Sequence, residues 1–258
     1  MQIRPYADKL HEILGNLTES LSNSEDNLYG VSREPKKILL VAITSNKGLC
    51  GAFNSNVIKQ TKELISTTYS VQNQQGNVDV FCVGKQGFEI LKKESNVSGE
   101  SNHLYEALTF ENVSKVAASI MSDFAEGKYD KVELVYNSFK NAGVQILTTE
   151  QFLPVEQPEQ ADNVQTDYIY EPSEQTIIQE LIPKSLKTQF FKAILDSFAS
   201  EHGARMTAMH KATDNASDLI QDLNLTYNKA RQAAITNEIL EIVSGKLLCC
   251  FLLMRDTI

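Results

Sequence analysis

The C-terminal third of this chain contains a 61-residue stretch, from Ser185 to Gly245, that has no proline and only one internal glycine, Gly203. Helices most often bend or end at these two residue types, so the stretch predicts one long helix. At about 1.5 Å per residue this helix would be about 90 Å long, which exceeds the diameter of a small domain. Two ordinary helices broken near Gly203 are the alternative interpretation, although one glycine costs only about 1 kcal/mol inside a helix.

The apolar residues of this stretch recur at steps of three and four, which is the spacing of a coiled-coil seam. They are Leu186, Phe190, Ile194, Phe198, Met206, Met209, Ala212, Ala216, Leu219, Leu223, Tyr227, Ala230 and Ala234. A seam of this length predicts a partner helix. Without that helix Leu219, Leu223 and Tyr227 lose their cover, and burial of each such side chain is worth roughly 1.5 to 3 kcal/mol.

A second helical segment begins almost at the first residue. Its apolar positions, three to four residues apart, are Ile3, Tyr6, Leu10, Ile13, Leu14, Leu17 and Leu21. The apolar face is already in register at Met1, and no capping residue comes before it. We therefore expect that most of this helix is missing and that the chain is truncated at its N-terminus.

Between these segments, short apolar runs alternate with segments of helical period. Strands are predicted at 38–43, 78–83 and 131–136, and helices at 56–69, 86–93 and 112–126. This alternation is typical of an α/β domain in which helices cover a parallel sheet. Two further strand candidates, 145–152 and 167–170, flank an acidic loop and predict an edge hairpin or an extension of the sheet.

The charge balance argues against nucleic acid as a partner. The chain has 24 Lys and Arg against 33 Asp and Glu, which gives a net charge of −9 and a pI near 5.0. A dominant nucleic-acid groove needs an excess of basic side chains.

The cysteines, histidines and apolar runs exclude further classes. Four cysteines without CxxC spacing and four histidines indicate neither a disulfide framework nor a zinc site. The longest apolar run, at 247–254, is far shorter than the roughly 20 residues that span a bilayer. We expect a reduced, intracellular protein without direct membrane insertion.

The loop from Thr44 to Asn54 follows a strand and precedes a helix, where α/β folds bind phosphates. It has neither the GxGxxG nor the GxxxxGK[ST] pattern, so a structural turn is the favoured interpretation and a nucleotide site the alternative. Cys50 could be proposed as a nucleophile, but no histidine stands out as its base. We expect Cys50 to be a packed small residue, and we expect no cofactor.

Three long stretches of the sequence resemble those of a known protein family. TSNKGLCGAFNSN (44–56), ASEHGARMTAMHKATDNAS (199–217) and NKARQAAITNEILEIVSG (228–245) resemble the gamma subunits of F-type ATP synthases. RPYADKL near the start and YIYEP at 168–172 fit the same order. The resemblance covers the chain from about residue 4 to residue 245.

This resemblance implies a central rotor shaft, in which an antiparallel pair of long helices carries a Rossmann-like α/β domain at its foot. Such a subunit is not an enzyme. It couples ion-driven rotation of the c-ring to conformational change at nucleotide sites on the beta subunits. The implied partners are the alpha and beta subunits, the epsilon subunit and the c-ring, and the implied location is peripheral, at the cytoplasmic face of the plasma membrane.

The resemblance also assigns roles to individual residues. Arg231, Gln232, Thr236 and Glu238 match residues that contact the beta subunits. Tyr168 and Glu171 match positions near the c-ring or the epsilon subunit. The loop residues Gly48, Cys50, Gly51 and Asn54 form a structural turn in this family.

These observations together predict the domain organisation. The segments are the end of an N-terminal coiled-coil helix (1–22), a linker (23–35), the α/β domain (36–172), a short helix and turn (173–184), the long shaft helix (185–245) and an atypical apolar tail (246–258). Two other functions remain as alternatives: a stand-alone α/β nucleotide-binding protein and a coiled-coil adaptor with a globular head.

Overall fold

The computed structural model describes residues 4–7, 9, 10, 29, 30, 33–155 and 174–255, and in the last range it describes side chains from 180 to 244. In chain order, the elements are β1 (Ile38–Ile43), α1 (Phe53–Glu63), a π-helical turn (Leu64–Thr68), α2 (Ser70–Gln74), β2 (Val78–Val83), α3 (Lys85–Leu91), β3 (Asn96–Glu100), a 3₁₀ turn (His103–Tyr105), α4 (Phe110–Ala125), β4 (Lys131–Asn141), β5 (Val144–Leu153) and α5 (Glu174–Arg255). The chain divides into two compact units, residues 1–208 and 209–258.

The described strands form one sheet in the order β3-β2-β1-β4-β5. All neighbouring strands are parallel except the hairpin of β4 and β5. Every residue of β1 is at most 1% exposed, as expected for a central strand covered on both faces. The α/β class and the three predicted strands are therefore confirmed. The strand candidate at 145–152 is β5, but it forms its hairpin with β4, and the other candidate, at 167–170, lies outside the described residues.

Alternate residues of β1 point to opposite faces of the sheet, and each face has its own core. Leu39 and Val41 pack in a cluster with residues of α4 and α5, including Phe124 and Phe190. Leu40 and its neighbours pack on the other face in a cluster with residues of α1 and α3. The sheet is therefore the middle of three layers in the first unit.

The edge strand β3 was not predicted from the sequence. Its residues, NVSGE, include only one large apolar side chain, and the strand is alternately exposed and partly buried. A strand at the edge of a sheet needs little apolar surface, so the pattern that marks a buried strand is missing.

Within the first unit, α5 continues through Pro183 and Gly203, although the sequence predicts a turn before Ser185 and allows a break near Gly203. It begins at Glu174 rather than Ser185 and contains Pro183. A proline inside a helix costs about 3 kcal/mol, and burial of Ile182 and Leu186 on either side offsets that cost. The helix also continues through Gly203, so the alternative of two helices broken there is wrong.

The second unit is helical from Met209 to Arg255. Every side chain described in it, from 209 to 244, is exposed. Leu219 and Leu223 are each 59% exposed and Tyr227 is 66% exposed. In the described residues, the part of the predicted seam that lies in the second unit is therefore uncovered.

Several predictions concern parts of the chain that the structure describes little or not at all. Residues 4–7, 9 and 10 are helical and Leu10 is buried, in agreement with the predicted N-terminal helix. The predicted strand at 167–170 and most of the predicted linker lie outside the described residues. In the helices that the structure describes, no segment is long and apolar enough to cross a membrane.

Candidate functional site

The loop between β1 and α1 is filled by its own side chains. The Oδ1 atom of Asn54 accepts a hydrogen bond from the backbone N–H of Ser45 at 2.9 Å, and its Nδ2 atom donates to Ser45 Oγ at 2.8 Å and to Cys50 Sγ at 3.2 Å. Ser45 and Cys50 are at most 2% exposed. The Cys50 thiol thus contacts an amide and a hydroxyl, and the polar side chains inside the loop bond to one another.

The backbone of this loop turns through two left-handed residues. Leu49 has φ 61° and Gly51 has φ 60°. Glycine adopts this conformation freely, whereas a leucine is strained in it by roughly 1 to 2 kcal/mol. Leu49 is also 77% exposed, so burial of its side chain does not offset the strain.

The outer side of the loop binds a cation of the long helix. The guanidinium of Arg205 donates to the carbonyl oxygens of Lys47 at 3.1 Å and Gly48 at 3.3 Å. The same guanidinium forms an ion pair with Glu201 at 2.8 Å. Phosphate binding needs N–H groups that point at the anion, whereas these carbonyl oxygens attract positive charge.

The start of α3 lies next to the same loop. Its first N–H groups, which have no partner within the helix, donate to side chains of this loop. Lys85 N–H donates to Asn46 Oδ1 at 3.0 Å and Gly87 N–H donates to Thr44 Oγ1 at 3.0 Å. A Cβ atom on Gly84, where φ is +102°, would lie 2.1 Å from the Thr44 carbonyl oxygen. This close approach leaves no gap for a phosphate between the helix and the strand.

Aromatic side chains fill the carboxyl edge of β1. Tyr105 donates to the carbonyl oxygen of Thr44 at 2.8 Å, and its ring stacks on Phe198 at 6.1 Å. Phe198 also contacts the ring of His202 at 4.5 Å. Burial, and then the carboxylate of Glu201, raises the pKa of the Tyr105 phenol, so this group is a neutral hydrogen-bond donor.

Two other buried polar groups have structural contacts. Tyr69 donates to Glu133 Oε1 at 2.6 Å, and Lys131 contacts the same oxygen at 2.7 Å. Burial, with the Glu133 hydrogen bond, raises the pKa of Tyr69 to about 12. Burial also raises the pKa of the Cys82 thiol to about 12, so this cysteine is not a thiolate at neutral pH.

One pocket of the described residues is lined by charged side chains of both signs. A pocket of about 320 Å³ beside β3 and α4 is lined by Glu100, Asp123, Lys115 and Lys128. Lys128 pairs with Asp123 at 3.2 Å, so the pocket has no excess charge to attract a charged ligand. Among the described residues, no three His, Cys, Asp or Glu side chains are grouped as a metal site would require.

The predicted contact residues of the second unit form two stripes on an exposed helix. At about 100° per residue, Arg231 and Glu238 lie about 20° apart, and Gln232 and Thr236 lie about 40° apart on a second stripe, roughly 100 to 160° away from the first. Exposed apolar residues interleave with them, namely Ile235, Ile239, Ile242 and Val243, each 48 to 70% exposed. In the described part of the chain, the side chains of Arg231 and Glu238 have no ion-pair partner, so both are available to another protein.

Two predicted contact residues lie outside the described part of the chain, and the sequence pattern does not predict a role for Arg205. Tyr168 and Glu171 lie outside the described residues. Arg205 was not singled out in the sequence, although it is part of the string ASEHGARMTAMHKATDNAS. The only local signal is Glu201 four residues earlier, which predicts an ion pair on one helix face and not a contact with the loop.

Comparison with known proteins gives the family. A family model described as ATP synthase matches residues 1–246. The ATP synthase gamma chain of Flavobacterium johnsoniae is 57% identical over 244 residues, which cover 94% of this chain and 84% of the relative. That of Christiangramia forsetii is 54% identical over 244 residues, 95% of this chain and 84% of the relative.

Solved structures show a similar fold. A cryo-EM structure of the Euglena gracilis mitochondrial ATP synthase, comprising OSCP, F1 and the c-ring, contains a chain with a TM-score of 0.64 and 18% identity, covering 100% of this chain and 93% of that one. A central-stalk and c-ring structure from Tetrahymena thermophila has a TM-score of 0.54 and 23% identity, covering 82% and 98%. With the sequence matches, these findings show that the chain belongs to the ATP synthase gamma chain family.

Proposed function

We propose that the chain is the central rotor shaft of an F-type ATP synthase. It couples ion-driven rotation of the c-ring to conformational change at the nucleotide sites of the beta subunits. The observation that carries this proposal is the second unit, a helix whose described side chains are all exposed although many are large and apolar. A helix of this kind is stable in water only when other surfaces cover it, as a surrounding ring of alpha and beta subunits would.

The chain itself is not catalytic in this proposal. The N–H groups at the start of α3 are bonded within the protein, and the loop after β1 presents carbonyl oxygens to Arg205. Both features disfavour the alternative of a stand-alone nucleotide-binding protein. The shaft acts through its angle of rotation within the alpha-beta ring. At each angle it contacts the beta subunits differently, so the beta subunits adopt different conformations with different nucleotide affinities.

The beta subunits contact Arg231, Gln232, Thr236 and Glu238. The unpaired guanidinium of Arg231 suits a carboxylate on the partner, because its fork of N–H donors binds both oxygens. The apolar residues between these positions, such as Ile235 and Ile239, fit a smooth apolar lining in which the helix turns. Polar contacts of this kind set the preferred angles, and apolar contacts allow movement between them.

The remaining partners are the epsilon subunit and the c-ring, which meet the chain near Tyr168 and Glu171. The resemblance of YIYEP to the family supports this assignment. The chain is a peripheral protein at the cytoplasmic face of the plasma membrane. In the loop after β1, Gly48, Cys50, Gly51 and Asn54 form a structural turn, as their mutual contacts and backbone angles support.

Reconstitution tests this function. The chain is mixed with purified alpha and beta subunits, and the mass of the complex and its ATP hydrolysis are measured together. We expect one chain per alpha-beta ring and faster hydrolysis than the ring alone gives. Absence of binding contradicts the proposal, and binding of ATP at micromolar concentration to the chain alone supports the nucleotide-binding alternative.

A further inference from the structure

The α/β domain holds the long helix from two nearly opposite sides between residues 200 and 207. With about 100° per residue, Gly203 and Thr207 lie on one side of α5, and Arg205 lies about 160° from each of them. Gly203 and Thr207 contact the tip of the β4–β5 hairpin, and Arg205 contacts the loop after β1. We call these two sets of contacts the clamp.

The hairpin side of the clamp is a close contact between backbones. Thr207 Oγ1 lies 3.1 Å from the carbonyl oxygens of both Ala142 and Gly203, so its one proton is shared between the hairpin and the helix. A Cβ atom on Gly203 would lie 3.1 Å from Ala142 Cα and 3.2 Å from its carbonyl oxygen, so the hairpin reaches this distance because the residue is glycine. The hairpin tip therefore fits directly against the helix backbone.

The loop side of the clamp is charge-assisted. Arg205 donates three hydrogen bonds to the carbonyl oxygens of Lys47 and Gly48, at 3.1 to 3.4 Å. Glu201, whose side chain is only 8% exposed, holds the guanidinium by an ion pair. Between the two sides, Ala204 packs against Cys50 and Phe53. Contacts thus extend around about half of the circumference of the helix.

Such an arrangement resists rotation of the helix about its own axis. Apolar packing at Phe190 and Ile194 is non-directional, and a small roll changes its buried area little. A roll of about 10° moves a group roughly 6 Å from the axis by roughly 1 Å, which is enough to break a hydrogen bond. Bonds on nearly opposite sides are stretched by a roll in either direction.

We infer that the clamp transmits torque between the α/β domain and the long helix, with Arg205 as its positioning residue. This inference rests on the proposed rotor function and adds to it contacts that carry load, beside the bonds of Asp196 and Ser200 with the same domain. The helix is one element from Glu174 to Arg255, so torque applied to it between 200 and 207 acts on the same helix that continues past Met209. The clamp also gives the loop after β1 a role, as an acceptor for Arg205, that does not involve phosphate binding.

The test uses the complete complex in ion-tight vesicles, assembled from this chain with the alpha, beta, epsilon and membrane subunits. ATP hydrolysis and ATP-driven ion uptake are measured on the same vesicles. We expect Arg205→Ala to lower ion uptake per ATP hydrolysed by roughly threefold or more, because the loop loses its charge-assisted bonds. Arg205→Lys should lower it less, since an ammonium keeps the charge but not the fork. Lys184→Ala, which removes an exposed cation of the same helix, is the matched control.

Each outcome decides between the clamp and its alternatives. Equal uptake per ATP for Arg205→Ala and the unaltered chain overturns the inference. A parallel loss of hydrolysis and uptake also overturns it, because that result indicates a role in folding or assembly alone. If Arg205→Ala does not fold, as judged by circular dichroism, Arg205→Lys takes its place, and an unchanged ratio then overturns the inference. Failure of the unaltered chain to enter the complex contradicts the rotor function instead.

Discussion

Arg4 and Asp196 lie 192 positions apart in the sequence and form a bidentate ion pair, with Arg4 Nη2 2.7 Å from Asp196 Oδ2. The same guanidinium nitrogen donates to the carbonyl oxygen of Phe139 at 2.6 Å. The Asp196 side chain is 8% exposed. One guanidinium therefore joins the start of the chain, strand β4 and the long helix.

Asp196→Ala should lower the free energy of unfolding by about 2 kcal/mol, because it leaves the partly buried charge of Arg4 without its partner. The measurement is urea-induced unfolding of the chain followed by circular dichroism. Asp214→Ala, which removes an exposed carboxylate of the same helix, is the control and should change the free energy little. Equal effects of the two substitutions would show that the ion pair does not stabilise the fold.

Gly84→Ala should destabilise the chain by about 4 kcal/mol or more, since the new Cβ atom would lie 2.1 Å from the Thr44 carbonyl oxygen. Gly76→Ala is a matched control, because Gly76 also has positive φ, at +72°, but open space around it. It should cost only about 1 kcal/mol, from backbone strain alone. Unfolding midpoints in urea compare the two, and a similar cost at both sites would contradict the tight contact of α3 with β1.

The folded chain should lose stability as the pH rises from about 10 to about 12. The Tyr69 phenol has its pKa raised from 10.0 to about 12 by burial and the Glu133 hydrogen bond. In that range the unfolded state loses this proton and the folded state keeps it, so each such group lowers stability by about 1.4 kcal/mol per pH unit. Tyr69→Phe should reduce this slope, measured by urea unfolding at several pH values, with exposed Tyr227→Phe as the control. If the slope is unchanged in Tyr69→Phe, the loss of stability at high pH does not come from the raised pKa of Tyr69.

Combined substitution of Arg231→Ala and Gln232→Ala should change ATP hydrolysis by the reconstituted alpha-beta complex by roughly threefold or more, because charge-assisted contacts with the beta subunits are lost. The same amount of chain should still bind, since the apolar residues of this helix remain. Lys211→Ala removes another exposed cation of the helix and is the control. If hydrolysis equals that with the unaltered chain, these two residues do not contribute to the contact with the beta subunits.

The sequence predicts the parts of the fold that depend on burial. The apolar run at Ile38–Ile43 predicts the central strand, because a strand covered on both faces has no room for polar side chains. The edge strand Asn96–Glu100 does not follow this rule, because its residues are exposed or only partly buried. The sequence predicts that α5 begins at Ser185, whereas the helix begins at Glu174, because local propensity at Pro183 gives way to burial of Ile182 and Leu186.

The candidate site is less predictable for a physical reason. The family strings identify Arg231 and Gln232 by position, but no periodicity marks them as contacts. Arg205 and Thr44 act through contacts with loop carbonyls and with the start of α3, and these distances depend on how distant segments pack. A single sequence records neither contact.

The most direct test of the central claim is to observe rotation. The alpha and beta subunits of the complex are fixed to glass, and a bead is attached through Gln74→Cys in a chain whose Cys249 and Cys250 are serine. Cys50 and Cys82 are buried and do not compete for the label. The account predicts that ATP drives stepwise rotation of the bead in one direction. A bead that only fluctuates while the complex hydrolyses ATP would contradict it.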